Sequence, residues 1–321
     1  MAQPLYSLGL DYGTNTVRAL VVDVADGREI GTGVAPYPHG EAGVVIDERQ
    51  PLLARQHPAD YETALEEAVR EALGQCRRDG DFDPARIVGI GLDATASTPL
   101  PVDATAAALA LDARFASDPD AMAWLWKDHT AHAEAEEITD LARRECPEWL
   151  ARSGNAYSSE WYFAKLLRLR RAAPQVLEAA AGWVELGDHV VGRLVGCGSP
   201  DELRRGVCAA GHKALYHETR GLPPLGFFQQ LDGELGRWLE GKLYSRAHAS
   251  DTAAGRLSAS WAARLGLPSG TPVAVAAIDA HIGAVGAGVR PGVLVKILGT
   301  SACDMLVHPA AEEALGEIPG I

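Results

Sequence analysis

The sequence predicts an α/β protein built around a mixed or parallel sheet, and three observations carry that prediction. Apolar, strand-like runs alternate with stretches of helical periodicity along the chain. Residues 9–23, GLDYGTNTVRALVVD, read as two adjacent strands joined by a tight polar turn. Residues 299–307, GTSACDMLV, echo residues 13–21, GTNTVRALV, so that Gly13, Thr14, Leu20 and Val21 align with Gly299, Thr300, Leu306 and Val307.

The elements follow in order. After the opening hairpin and a loop around Pro36–Gly40, the apolar residues Tyr61, Ala64, Leu65, Ala68, Val69, Ala72 and Leu73 recur at helical spacing. They predict a helix with Asp60 as its N-cap. Residues 86–92 predict a buried strand ending at Asp93-Ala94-Thr95-Ala96-Ser97. Helical composition then covers 120–144 and 160–181, with Pro174 as a break, and an amphipathic helix is expected over 183–195. Residues 196–221 are Gly-rich and irregular, 253–265 return to helix, and 272–278 predict a strand. The second Gly-Thr hairpin is followed only by His308 to Ile321, too little to build a second core. The chain is therefore expected to be the first part of a longer protein.

Composition narrows the function. A chain of 321 residues has room for about two domains. With 47% hydrophobic and 22% charged residues it can bury a large core. A formal charge of −14 repels nucleic acid and anionic membranes, so neither is an expected partner. A small neutral substrate, or an anion brought in with a metal, is compatible with it. The five cysteines are scattered, with no CxxC, which fits reduced thiols in a cytoplasm rather than a disulfide framework or zinc knuckle. The N-terminus shows no basic region followed by an apolar run, so no signal peptide is expected. The longest apolar stretch, 272–289, is interrupted by Asp279 and His281 and suits a buried strand and helix rather than a membrane span.

Several motifs bear on chemistry. Residues 89–94, GIGLDA, match the dinucleotide pattern GxGxxA, but Pro99 and Pro101 forbid the helix that a dinucleotide site needs. No GxxxxGK[ST] phosphate loop is present. The turn Asp11-Tyr12-Gly13-Thr14-Asn15-Thr16 offers another grip: backbone N–H groups and short polar side chains for phosphate, and a carboxylate for hydrated Mg²⁺. Two such turns facing each other could hold a polyphosphate from both sides. Asp279 ends an apolar strand before a small-residue helix, where a charge is either paired or functional, and where a general base for an alcohol would sit. A role as the helix N-cap is compatible with that. His129 and His132 form an HxxH pair without a third ligand in view, so metal is disfavoured. Trp126 and Asp128 suit a sugar contact, and Lys213 lies in a Gly-rich stretch where side chains can enter a cleft.

On these residues the sequence resembles the FGGY carbohydrate kinases. The opening hairpin resembles that family's first phosphate hairpin, GLPSGTPVAVAAIDAHIGAVGAG its catalytic-aspartate segment, and KILGTSACDM its second phosphate hairpin. DATASTPLPVD, LWKDHTA, SSEWYFAKLL and CAAGHKALYH resemble more specific landmarks within it. The resemblance implies an actin-like (ribonuclease H-like) fold, with one complete N-terminal domain at 1–288 and the first strands of a second at 289–321. It implies transfer of the ATP γ-phosphoryl group to the 5-hydroxyl of a ketopentose. In that scheme Asp279 is the base and a sugar contact, and Asp11 lies near Mg²⁺. Gly13, Thr14, Asn15 and Thr16 with Gly299, Thr300 and Ser301 cradle the phosphates. Ala96, Trp126, Asp128 and Lys213 touch the sugar. A homodimer is left open. The family's adenosine pocket and one sugar-contacting glutamate belong to a second half absent here, so this length is expected to be a poor kinase alone. The rival readings are a kinase for xylulose, glycerol or another polyol, and a non-catalytic sugar-binding half-domain.

Overall fold

The computed structural model describes residues 3–79, 82–298 and 302–308. Its main sheet is mixed, as expected. Tyr6–Tyr12 pairs antiparallel with Thr16–Asp23, which pairs antiparallel with Glu29–Pro36. On its other side Tyr6–Tyr12 runs parallel to Ile87–Ala94. That strand is met in parallel by Pro272–Ala274 and Ala277–Ile278, and Ala253–Arg256 closes the far edge antiparallel. Alternation places Tyr6, Leu8, Leu10 and Tyr12 in the core.

The helix Pro58–Cys76 covers one face, and all seven residues of the periodic stripe are buried beneath it. It lies unusually close to the sheet. A Cβ on Gly33 would stand 2.0 Å from the Ala68 carbonyl oxygen, and one on Gly31 2.5 Å from that of Ala72. Only glycine allows this approach. The N-cap is His57 rather than Asp60: His57 Nδ1 accepts from the Ala59 N–H at 3.2 Å, while Asp60 accepts from the His39 N–H at 3.1 Å.

A second core, including Trp124, Trp161, Phe163 and Phe228, lies among the helices His132–Glu145, Tyr162–Ala172 and Leu225–Leu231. Here long-range contacts override local composition in several places. Helix was expected from 120, yet Ala123–Trp124 is a strand paired with Arg55 and Gln56, and helix begins only at His132. The Arg55 guanidinium stacks 3.5 Å over the Trp124 ring and holds that segment extended. Gly182–Glu185 is likewise a strand, paired with Pro99–Val102, before the helix Leu186–Val195. Ala253–Arg256 is a strand, and the helix after it, Ala259–Leu265, starts where Ser258 caps it. The irregular stretch contains the helix Val207–Lys213, and the strand at 272–278 is two short pieces.

The second hairpin forms, with Leu294–Leu298 antiparallel to Ala302–Leu306. Its tip, Gly299, Thr300 and Ser301, lies outside the described residues. Among the described residues no helix is long and apolar enough to cross a membrane.

Candidate active site

Strand register assembles the site. Asp11 stands opposite Asp93 on the neighbouring parallel strand, and Ala277 stands opposite Asp93 from the other side. Asp279, two residues on, opens the helix Asp279–Gly286 at the same sheet edge. Three carboxylates therefore converge at the carboxyl ends of parallel strands, where ligands of open α/β sheets bind. Burial, then the charges of Asp11 and Asp279 and a hydrogen bond to Asp11, push the Asp93 carboxyl up to about 8. Asp279 is also raised, by burial and then by Asp11, against the opposing Ala280 N–H and Lys213 charge. Its Oδ1 accepts that N–H at 2.6 Å. Asp11 is paired with the exposed Arg18 at 3.0 Å.

Sequence reasoning missed Asp93. The signal was present: a lone carboxylate near the end of a buried strand, the same mark that singled out Asp279. What no local pattern shows is that pairing sets Asp93 against Asp11.

The turn beside Asp11 is held from several sides. The Gly13 N–H donates to the Thr16 carbonyl at 3.0 Å, and the Tyr37 N–H to the Asn15 carbonyl at 2.9 Å. Gln56 Nε2 donates to the Thr14 carbonyl at 2.7 Å. The Asn15 side-chain amide donates to the Ala42 carbonyl, so that group is already engaged within the protein. Trp126 Nε1 donates to Thr14 Oγ1 at 3.0 Å, leaving the Thr14 hydroxyl its own proton to give to a ligand. Trp126 thus joins the candidate sugar side to the phosphate turn.

Lys213 ends a helix and is almost wholly buried, its ammonium 5.3 Å from the centre of the Trp161 ring. Burial lowers its pKa, against the pull of Glu160, Glu185, Asp279 and Cys303. Ala96 follows Ile87–Ala94 and lines a small cavity with Thr95, Glu185 and Ile278. Asp128 differs from the expectation. It is 0% exposed, and both its oxygens are taken: Oδ2 by the Ala54 N–H at 2.8 Å and by Arg55, Oδ1 by the N–H and hydroxyl of Thr130 at 3.1 and 2.6 Å. It supports the site from behind rather than lining it, and its segment is not helical.

His39, His57 and Asp60 bring three ligand atoms within 4.8 Å of one another. Metal does not fit there as built, because His57 Nδ1 accepts from Ala59 while Nε2 faces the Ala116 carbonyl at 3.2 Å, using both ring nitrogens. The His129 and His132 rings are stacked 5.9 Å apart, and His129 turns to Ser159 and Glu160.

No protein-family model matches the chain. Curated relatives do. The chain is 40% identical over 305 residues to a ribulokinase of Vibrio parahaemolyticus, covering 94% of this chain and 52% of that protein. It is 38% identical over 307 residues to a ribulokinase of Geobacillus thermodenitrificans, covering 94% and 53%. It spans about half the length of the curated relatives it matches. Among solved structures, a xylulose kinase from Rhodospirillum rubrum superposes with a TM-score of 0.68 at 22% identity, over 94% of this chain and 55% of that one. That likeness shows the fold alone.

Proposed function

Because the chain belongs, over the residues it spans, to the FGGY carbohydrate kinases with their actin-like fold, we propose that it forms the sugar- and phosphate-facing half of an ATP-dependent kinase. The acceptor is a ketopentose, L-ribulose before others, and the product is its 5-phosphate, a step in arabinose catabolism in the cytoplasm. Residues 289–321 are the start of the second domain in this reading. The observation that carries it is the meeting of Asp11, Asp93 and Asp279 at one sheet edge, beside a turn able to hold phosphate.

The chemistry follows from the residues. The sugar hydroxyl oxygen attacks the γ-phosphorus, its proton passes to the Asp279 carboxylate, and the bridging electron pair leaves with ADP. A raised carboxyl pKa makes Asp279 a better proton acceptor than an ordinary surface aspartate. Lys213 orients sugar oxygens across from it, and Ala96 and Trp126 bound the sugar. The Thr14 hydroxyl and the N–H groups of the Gly13–Thr16 turn other than that of Gly13 bind phosphate oxygens; Gly299, Thr300 and Ser301 do the same from the second hairpin. Burial, and then the repulsion among the carboxylates, raises Asp93 and Asp279; a divalent cation relieves that repulsion, so the carboxylate corner fits Mg²⁺, with Asp11 its holder through water. Mg²⁺, when bound, neutralises charge on the phosphate oxygens.

The test is ADP release, with ATP and Mg²⁺, by the chain joined to the second domain that this reading calls for, against a panel of L-ribulose, xylulose, glycerol and other polyols. Release that depends on L-ribulose supports the reading, and release with another polyol moves the substrate assignment to it. Ketose binding without ADP release replaces it with a sugar-binding half-domain.

A further inference from the structure

Lys165 is 0% exposed, in the helix Tyr162–Ala172. Its ammonium donates to three backbone carbonyls: Ser97 at 2.7 Å, Leu125 at 2.8 Å and Trp124 at 3.3 Å. Among the described residues it makes no ion pair. A buried ammonium is costly, and an apolar side chain could fill the same volume. The charge is explained by the carbonyls, which belong to two stretches far apart in sequence: the loop after Ile87–Ala94, and the end of the strand Ala123–Trp124 with the loop that follows it. One loop carries Ala96. The other leads into Trp126.

Glu185 holds the first loop from the opposite side. Its Oε2 accepts from the Thr98 N–H at 2.9 Å, and its Oε1 accepts from the Ser97 hydroxyl. Ser97 is therefore gripped by its carbonyl and by its side chain. Beyond the second loop, Trp126 reaches Thr14. The links run without a gap from Glu185 through Ser97, Lys165, Leu125 and Trp126 to the phosphate turn. Burial lowers the Lys165 pKa to about 7, with Asp128 and Glu185 pulling against it, while its three protons all have acceptors.

We infer that Lys165, backed by Glu185, is a positioning residue: it joins the Ala96 and Trp126 loops into one sugar-facing surface and fixes that surface relative to the phosphate turn. The inference deepens the sugar-kinase reading and rests on it.

The test compares the full-length chain with its Lys165→Met, Ser97→Ala and Leu169→Ala variants. Leu169 is buried on the same helix and serves as a control for destabilisation alone. Amide hydrogen exchange is read at residues 95–98 and 124–128, and L-ribulose affinity by calorimetry. Lys165→Met is expected to speed exchange in both segments and to weaken L-ribulose binding about tenfold or more. Ser97→Ala is expected to loosen only residues 95–98. Leu169→Ala should lower the thermal midpoint without singling out either segment. An exchange pattern for Lys165→Met that matches Leu169→Ala, or an unchanged affinity, overturns the inference. Should Lys165→Met not fold, Ser97→Ala decides, and no local loosening there overturns it. If the wild type binds no ketopentose, the sugar reading fails by itself. The exchange pattern then still judges the staple, segment-specific loosening supporting it and uniform loosening refuting it.

Discussion

Asp128 lies behind the candidate site and Asp279 within it, and the protein treats the two carboxylates in opposite ways. Around Asp128 every polar atom has a partner: its oxygens meet Ala54, Arg55 and Thr130, and nearby Lys165 meets three carbonyls. Around Asp279 the acidic neighbours stand alongside a single opposing lysine, Lys213, and burial together with repulsion from those carboxylates raises the pKa values of Asp93 and Asp279. Charge satisfied inside the fold fixes a shape. Charge left facing like charge is held ready for a cation or a proton from outside.

The strongest way to break this contrast is Asp279→Asn. In the complete enzyme, ketose-dependent ADP release should fall about 10²–10⁴-fold, roughly 3–5 kcal/mol of barrier, with the thermal midpoint held or raised. Turnover near that of the wild type would remove Asp279 from the role of base. Asp128→Ala should do the reverse to stability: it takes the nearer carboxylate from the buried Arg55 guanidinium and leaves it only Asp120 at 3.4 Å, at a cost of up to about 3–5 kcal/mol in urea unfolding. A loss no larger than that of an exposed ion pair would mean that Asp128 is not the anchor its contacts describe.

Asp11→Asn sharpens the comparison on the metal side. Since its partner Arg18 is exposed, stability should change by less than about 1 kcal/mol. Turnover should fall at low Mg²⁺ and recover in part as Mg²⁺ is raised; indifference to Mg²⁺ would reduce Asp11 to a shaper of the turn. The smallest effect is a slope. Folded Lys165 gives up its proton near pH 7, whereas the unfolded chain keeps it to its ordinary 10.5. The unfolded state thus binds more protons between those values, and stability gains with rising pH. The difference in unfolding free energy between wild type and Lys165→Met should therefore climb from pH 7 to 10, and a flat difference would mean that burial does not lower the Lys165 pKa.

Much of the fold was legible because it is locally encoded. The stripe from Tyr61 to Leu73, the opening hairpin and the strand before Asp93 each announce themselves within a dozen residues or so. Residues 120–131 misled because Arg55, far away in sequence, stacks on Trp124 and holds it extended. Lys213 read as a loop residue because a seven-residue helix among glycines has little periodicity to show. In the site, Asp279 and Asp11 were visible as charges out of keeping with their apolar flanks. Asp93 and the enclosure of Asp128 depend on which strands lie side by side, and pairing is written nowhere in the local sequence.

The registered meeting of Asp11 and Asp93 also limits how this sequence can change in length. Side chains alternate between faces along a strand, so one residue inserted or deleted between Ile87 and Asp93 would turn the carboxylate through the sheet and bring an apolar neighbour to the edge. Substitutions within that strand can be tolerated singly, and the surface loops can lengthen or shrink. The spacing inside Ile87–Ala94 cannot, which makes it a ruler against which insertions anywhere else in the domain can be measured.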